Sequence, residues 1–296
     1  MSCQLSIIVP VYNVVQYLRH CLQSLDQQGL DNYEVLLVND ASRDNSRGIC
    51  AEWCASHPHF RLVNHDVNKG LSEARNTGLR EAQGRFITFV DSDDYLEADT
   101  LKHVLQAFDD DTDIVEYPVM EHHFSKHPHH LTFLPQAMDF ATWLRQNGHE
   151  HCYACNKVFR ASLWKEENGQ LRNSFPSGLH YEDILTIPYV LRQARSIRQT
   201  DKGMYYYCER PGSISNTPSA QNLMEYTNAL NKLLQLPENQ TNYKLRLRAR
   251  NAELSYNRAA HTSQRIIHPR HLPLTYCLSS GLTLHDRLKA LYYTCF

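Results

Sequence analysis

The stretch Phe86-Ile-Thr-Phe-Val-Asp91-Ser92-Asp93-Asp94 sets an apolar run directly against a cluster of carboxylates. A short apolar run closed by polar residues reads as a strand buried on both faces, the kind that builds parallel sheets. The same arrangement occurs twice more toward the N-terminus. Leu5-Ser-Ile-Ile-Val9 is closed by Pro10, and Tyr33-Glu-Val-Leu-Leu-Val38 ends on Asn39 and Asp40. Between the runs, apolar residues recur at helical spacing: Val14, Leu18, Cys21, Leu22 and Leu25 within 14–27, then Leu71, Ala74, Gly78, Leu79 and Ala82 within 71–83. Ala41-Ser42-Arg43-Asp44 carries helix-capping chemistry ahead of a helix over 45–56, and 60–63 reads as a weaker strand. Such alternation predicts an α/β fold with a mainly parallel central sheet flanked by helices. In these sheets the ligand crevice lies outside the carboxyl ends of the strands. Every polar cluster named above falls at such an end.

The second half is less regular. Strands are expected over 113–119, 153–159 and 205–208, a polar hairpin or loop over 120–134, and helices over 137–147 and 182–193. The last of these opens on Glu182 and Asp183. Beyond Pro218, Leu223, Tyr226, Leu230, Leu233 and Leu234 stripe one helix; Pro237 to Gln240 break it, and 242–262 resumes. The expected division is an α/β domain over 1–218, with halves 1–98 and 99–218, and a helical extension over 219–296.

Composition bounds the function. Hydrophobic residues make up 42% of the 296 and charged residues 21%, so the chain can bury a core and is not a disordered polymer. A net charge of −2 excludes a strongly basic nucleic-acid binder. The charge is uneven, however. From Gln240 onward nine Lys/Arg stand against two Asp/Glu, a local +7 that leaves −9 for the rest. Lys244, Arg246, Arg248 and Arg250, with the apolar stripe Leu284, Leu288, Leu291, Tyr292 and Cys295 near Arg287 and Lys289, suggest docking on an anionic membrane. A helix that simply packs is the favoured alternative. No run approaches the roughly 18 apolar residues of a membrane span, and no signal pattern opens the chain. The expectation is a cytoplasmic protein, or one peripheral on the inner face of the membrane. The nine cysteines are odd in number and irregular in spacing, which points to reduced thiols. Cys152 and Cys155, beside His149 and His151, have no second matched pair of the kind a structural zinc site needs. The histidines at 122, 123, 127, 129 and 130 could form a metal-binding tract, although a solvated hairpin is favoured.

In extended backbone Asp91 and Asp93 point the same way. Two carboxylates presented together suit a hard divalent cation, Mg²⁺ or Mn²⁺, that keeps positions open for phosphate oxygens. Read alone, the run suits a helix cap equally well. No glycine-rich phosphate loop is present. A diphosphate would then be held by a metal, by basic side chains and by a helix N-terminus. The candidates are the Asp pair, Lys69 with Arg75, and the helix that starts near Leu71.

Four ordered blocks resemble family 2 inverting glycosyltransferases of the GT-A fold. They are Ser6-Ile-Ile-Val-Pro-Val-Tyr-Asn13, Val38-Asn-Asp40-Ala-Ser-Arg-Asp44, Asn68-Lys-Gly-Leu-Ser-Glu-Ala-Arg-Asn76 and Phe89-Val-Asp-Ser-Asp-Asp94. Further on, Asn156-Lys-Val-Phe-Arg160, His180-Tyr-Glu-Asp183 and Tyr205-Tyr-Tyr207 followed by Gly212-Ser-Ile214 resemble the acceptor half of bacterial polysaccharide-building members. The resemblance covers about 4–215 and implies a nucleotide-sugar donor, most often a UDP-sugar, and a glycan or lipid-linked acceptor. Carried over by position, Pro10, Tyr12 and Asn13 line the nucleotide pocket and Asp40 meets the uracil. Asp93 is the principal metal ligand, with Asp91 near the ribose or the metal and Ser92 between them. Lys69 and Arg75 lie toward the diphosphate, Asn156 and Lys157 on the acceptor side, and Asp183 is the catalytic base beside Glu182. One departure concerns the turn after the second strand, where Ala41 stands in place of the family's glycine.

The implied reaction is a single displacement at the anomeric carbon. Metal and basic groups stabilise charge on the departing nucleotide while Asp183 takes the proton of the attacking hydroxyl. An unperturbed carboxylate suffices for that role, because Asp titrates near ~3.9. The alternatives are a degenerate module of the same fold that only binds nucleotide, and a sugar nucleotidyltransferase that releases pyrophosphate.

Overall fold

The computed structural model describes residues 3–123, 128–209 and 219–267, and beyond these only 276, 283, 287, 288, 290 and 291. The chain forms two compact units, Met1–Ser213 and Ile214–Phe296. The sequence-based boundary falls slightly later, after residue 218.

The first unit opens with alternating strands and helices: β1 Leu5–Val11, α1 Leu18–Asp26, β2 Tyr33–Asn39, α2 Ser46–Ser56, β3 Phe60–Asn64, α3 Leu71–Glu81 and β4 Phe86–Phe89. The four strands lie in the order β3-β2-β1-β4 and all pair in parallel. Every residue of β1 is buried, as the unbroken apolar run requires of a strand covered on both faces. α3 packs tightly on this strand. A Cβ added at Gly78 would stand 2.3 Å from Ile8 Cγ2, so only glycine lets the helix approach that closely.

The chain continues through β5 Tyr95–Leu96, α4 Thr100–Gln106, β6 Ile114–Glu116, β7 Val119–His123, β8 His129–Leu131, β9 Gln136–Met138, α5 Phe140–Arg145, β10 Lys157–Arg160, α6 Glu182–Leu191, β11 Ile197–Gln199 and β12 Tyr205–Cys208. Four of these strands extend the first sheet to eight, in the order β3-β2-β1-β4-β10-β6-β11-β9. β10 runs antiparallel to both β4 and β6, so the sheet is mixed. The expected strand over 113–119 is two strands in two sheets. β6 belongs to the large sheet, and β7, after Pro118, joins a smaller one ordered β5-β12-β7-β8. Proline cannot donate to a ladder and marks the switch.

In the second unit α7 Ala220–Leu234 packs on α8 Tyr243–Ala259, with a single 3-10 turn over Pro237–Asn239 where the sequence breaks its helical stripe. α8 presents no continuous basic face. Arg246 is buried, Arg248 donates to the Tyr226 hydroxyl at 2.6 Å, and Arg250 pairs with Glu253 at 2.6 Å. Of Lys244, Arg246, Arg248 and Arg250, Lys244 alone is exposed. Leu284, Lys289, Tyr292 and Cys295 of the C-terminal stripe lie outside the described residues, as do His127 and Gly212 to Ile214. Among the described residues no helix is long and apolar enough to cross a membrane.

Candidate active site

The carboxyl ends of β1, β2 and β4 gather most of the residues picked out by sequence. Pro10 is buried near the end of β1, Tyr12 is exposed just beyond it, and Asn13 adopts φ +53°. The Asn13 side-chain oxygen accepts from the Arg43 amide at 2.8 Å, and the Asn13 amide donates to Ser42 Oγ at 3.3 Å. The β1 end is thereby stitched to the turn that follows β2. In that turn Ala41 takes φ +54°, a left-handed conformation that glycine adopts freely and alanine only at a cost.

Asp40 is buried, and both its carboxylate oxygens are committed. They accept the amides of Lys69 and Gly70 at 2.8 Å each and meet His65 Nδ1 at 2.7 Å. His65 Nε2 in turn meets Thr77 Oγ1 at 2.9 Å. Asp40 therefore fixes the loop that leads into α3. The exposed Lys69 side chain makes no ion pair among the described residues.

After β4, residues 91–94 form a turn closed by the Asp94 amide on the Asp91 carbonyl at 3.0 Å, and the next element is β5. The helix-cap reading of this run fails, because α4 starts only at Thr100. Asp91 and Asp93 are half-buried at the rim, whereas Ser92 and Asp94 are buried. Asp94 accepts the Tyr205 hydroxyl at 2.6 Å and the Cys208 amide at 2.7 Å. Burial, then the charges of Asp93 and Asp91, push its carboxyl well above the usual range. The Tyr205 hydroxyl also receives the Asp91 amide at 3.1 Å, so β12 holds the acidic turn in place. No group of three or more His, Cys, Asp or Glu side chains suited to a metal gathers among the described residues. The turn also replaces the extended backbone expected to aim Asp91 and Asp93 the same way; what stands of that reading is two carboxylates at one rim, the oxygen chemistry a hard cation takes.

Arg75 joins this turn to the acidic start of α6. Its guanidinium is almost completely buried, with Nη2 on Asp91 Oδ1 at 2.9 Å. Nη1 meets Glu182 Oε1 at 2.5 Å and Asp183 Oδ1 at 2.9 Å. The planar fork of arginine suits such multiple carboxylate contacts. Phe175 covers it, with its ring centroid 5.2 Å from Cζ. Tyr181, just before the pair, has φ +59°. A bulky residue in the left-handed region is strained, and here it turns Glu182 and Asp183 into the cluster. Asp183 Oδ2 accepts the Ala154 amide at 3.2 Å. Burial raises the Asp183 carboxyl to about 7, Arg75 offsets only part of this, and Glu182 and Asp91 add to the rise. One guanidinium cannot neutralise three carboxylates. The role of base does not require such a rise, and burial at a helix start leaves no mark in composition.

Asn156 and Lys157 do not reach the surface. Both are fully buried and bonded inside the domain, so they can affect an acceptor only through the segment they hold. Cys152 and Cys155 are buried thiols in no disulfide, and burial pushes Cys155 up. His129 pairs with Glu121 at 2.8 Å and His123 Nε2 meets the Tyr95 hydroxyl at 2.8 Å. Sequence reading missed the anchoring roles of Asp94 and Tyr205, the Asp40–His65 pair and Glu116. Asp94, as the third acid of its run, Tyr205, in the block 205–207, and Asp40 stood in segments already singled out, whereas His65 and Glu116 carried no signal.

Residues 6–166 match the family described as glycosyl transferase family 2. The putative glycosyltransferase EpsH of Bacillus subtilis is 43% identical over 110 residues, which is 37% of this chain and 32% of EpsH. The uncharacterized glycosyltransferase EpsJ of the same organism is 30% identical over 226 residues, 72% of this chain and 63% of EpsJ. The chain thus spans less than two thirds of the length of these relatives. The crystal structure of S. aureus TarS in complex with UDP-GlcNAc superposes with a TM-score of 0.67 at 22% identity, covering 98% of this chain and 79% of that one. That likeness concerns the fold.

Proposed function

Since the chain belongs to glycosyl transferase family 2, we propose that it transfers a sugar with inversion, from a nucleotide-sugar donor to a hydroxyl of a glycan or lipid-linked acceptor. The observation that carries this reading is the single guanidinium of Arg75 bridging Asp91, after β4, and Asp183, at the start of α6. It couples a strand-end site for a donor to a carboxyl group that titrates near neutrality. A general base works best with a pKa close to the working pH, and Asp183 sits at about 7.

In the reaction the acceptor oxygen bonds to the anomeric carbon from the face opposite the nucleotide. The bond from that carbon to the diphosphate oxygen breaks, the nucleoside diphosphate leaves, and the hydroxyl proton passes to Asp183. Asp91 and Asp93 would hold Mn²⁺ or Mg²⁺, whose chemistry is Lewis-acid stabilisation of the leaving diphosphate. Lys69 and the N-terminus of α3 supply further positive potential. Pro10, Tyr12 and Asn13 border the nucleotide, with Asp40 shaping the wall of that pocket. A UDP-sugar is the donor favoured by the family resemblance, in line with the UDP-GlcNAc bound by TarS.

Thermal unfolding with UDP, GDP, CDP and dTDP, each with Mn²⁺ or with chelator, tests the reading. A ligand at 100 times its Kd adds about 2.7 kcal/mol to the folded state. A rise with UDP that needs Mn²⁺ is expected. A rise independent of metal would remove the metal-assisted part, and no rise with any nucleotide would favour a degenerate fold.

A further inference from the structure

A second buried charge cluster lies beneath the candidate site and belongs to none of the roles above. Glu116 and Lys157 are both fully buried, with Lys157 Nζ 2.8 Å from Glu116 Oε1. Glu116 also meets His151 Nδ1 at 2.7 Å, Trp143 Nε1 at 3.0 Å and Gln199 Nε2 at 2.8 Å. Burial opposes its charge, yet His151 and Lys157 pull it well below the usual carboxylate range. The three donors of Lys157 Nζ go to the carbonyls of His151 and Tyr153, at 2.9 Å each, and to Asn156 Oδ1 at 2.7 Å. The Tyr117 hydroxyl takes the carbonyl of Cys155 at 2.8 Å. The carbonyls of 151, 153 and 155 are thus all held by donors from the buried side. Between them sits the Ala154 amide, which donates to Asp183 Oδ2 at 3.2 Å.

We propose that Lys157, paired with Glu116, is a positioning residue for Asp183: it clamps the 151–155 backbone so that the Ala154 amide fixes the orientation of the Asp183 carboxylate. The proposal rests on Asp183 being the base. Arg75 grips Oδ1 from α3 and Ala154 grips Oδ2 from the opposite segment, so the carboxylate is held at both oxygens. Releasing one side lets it rotate about Arg75 and away from the acceptor hydroxyl. A misplacement of about 1 Å is enough to cost about 100-fold in rate.

The test replaces both charges at once, with Lys157→Met and Glu116→Gln, because removing one alone would strand a buried charge. Transfer is read as UDP release from UDP-glucose, UDP-galactose and their N-acetylated forms, with water and methyl glycosides as acceptors. Amide hydrogen exchange over 150–156 reads the clamp directly. The expected result is faster exchange in that segment, unchanged donor KM, and kcat lower by about 10- to 100-fold. In an Asp183→Asn background the pair of substitutions should cost nothing further, because coupled residues are not additive. The same fractional loss in both backgrounds, a loss in KM instead of kcat, or unaltered exchange would each overturn the clamp. If Asp183→Asn by itself leaves transfer intact, it is the base assignment that falls. Should the double variant not fold, Lys157→Gln with Glu116→Gln, which strands no charge and leaves too few donors for both carbonyls, carries the test: faster exchange over 150–156 supports the clamp and unaltered exchange refutes it.

Discussion

Asp183 is held in a conflict that fixes two predictions. Its carboxyl is raised to about 7 by burial, with Arg75 compensating in part and Glu182 and Asp91 opposing its ionisation. The folded state therefore favours the protonated acid. Stability from this group is fully present below the unfolded value of 3.8 and is lost as pH rises through 7. Activity has the opposite sign, since only the carboxylate can accept a proton. Transfer measured with Mn²⁺ should fall below pH 7, while the unfolding temperature of the metal-free protein rises there, and parallel pH series of rate and of melting check the two. Asp183→Asn should cut transfer by about 10²–10⁴-fold, keep the nucleotide-induced shift, and melt no lower than the native chain at pH 8. Unimpaired transfer would remove the base assignment. The chemical identities at this site were legible in the sequence, because Asp91, Asp93 and Asp183 stand in motifs at strand and helix ends. The partner common to Asp91 and Asp183 was not. Arg75 and Glu182 are 107 positions apart, and no local spacing signals that one guanidinium unites them.

At the scale of elements, the parallel half of the sheet is where sequence and structure agree best. β1, β2 and β4 are long apolar runs with polar stops, and each lies within two residues of its expected bounds. β5, β9 and β11 have two or three residues each and gain their strand character from partners remote in sequence, as in the register of Ile197 with Ile114 and Met138. Such pairings have no periodicity to read. The contact between α3 and β1 gives this scale its own prediction. Gly78 costs helix propensity of about 1 kcal/mol relative to Ala, but a methyl there would meet Ile8 Cγ2 at 2.3 Å. Ile8 is fully buried between β2 and β4 and has nowhere to move. Overpacking of this kind costs about 1–3 kcal/mol, so Gly78→Ala should destabilise, contrary to the propensity scale. Denaturant unfolding decides the sign. A stabilised variant would mean that α3 can lift from the sheet, and Arg75 with it.

For the molecule as a whole, the charge split between the ends of the chain invited a functional reading that the structure redistributes. The basic C-terminal region lies in the unit Ile214–Phe296, yet Arg248 and Arg250 are spent on contacts inside it and Arg246 is buried there. The acids that bear on chemistry, Asp91, Asp93, Glu182 and Asp183, all lie in the unit Met1–Ser213, together with Arg75 and Lys69. A donor should therefore order the first unit alone. Hydrogen exchange with UDP and Mn²⁺ is expected to protect the loop 65–70, the turn 91–94 and the start of α6, because these segments surround the proposed diphosphate. Residues 219–267 should exchange at the same rate with and without ligand. Chelation should abolish the protection at 91–94 first, since the two carboxylates there have no other reason to close on a diphosphate of like charge. Protection of α7 or α8 by nucleotide would instead make the helical unit a part of the donor site. In that case the reading of 1–213 as the complete donor site would have to be abandoned.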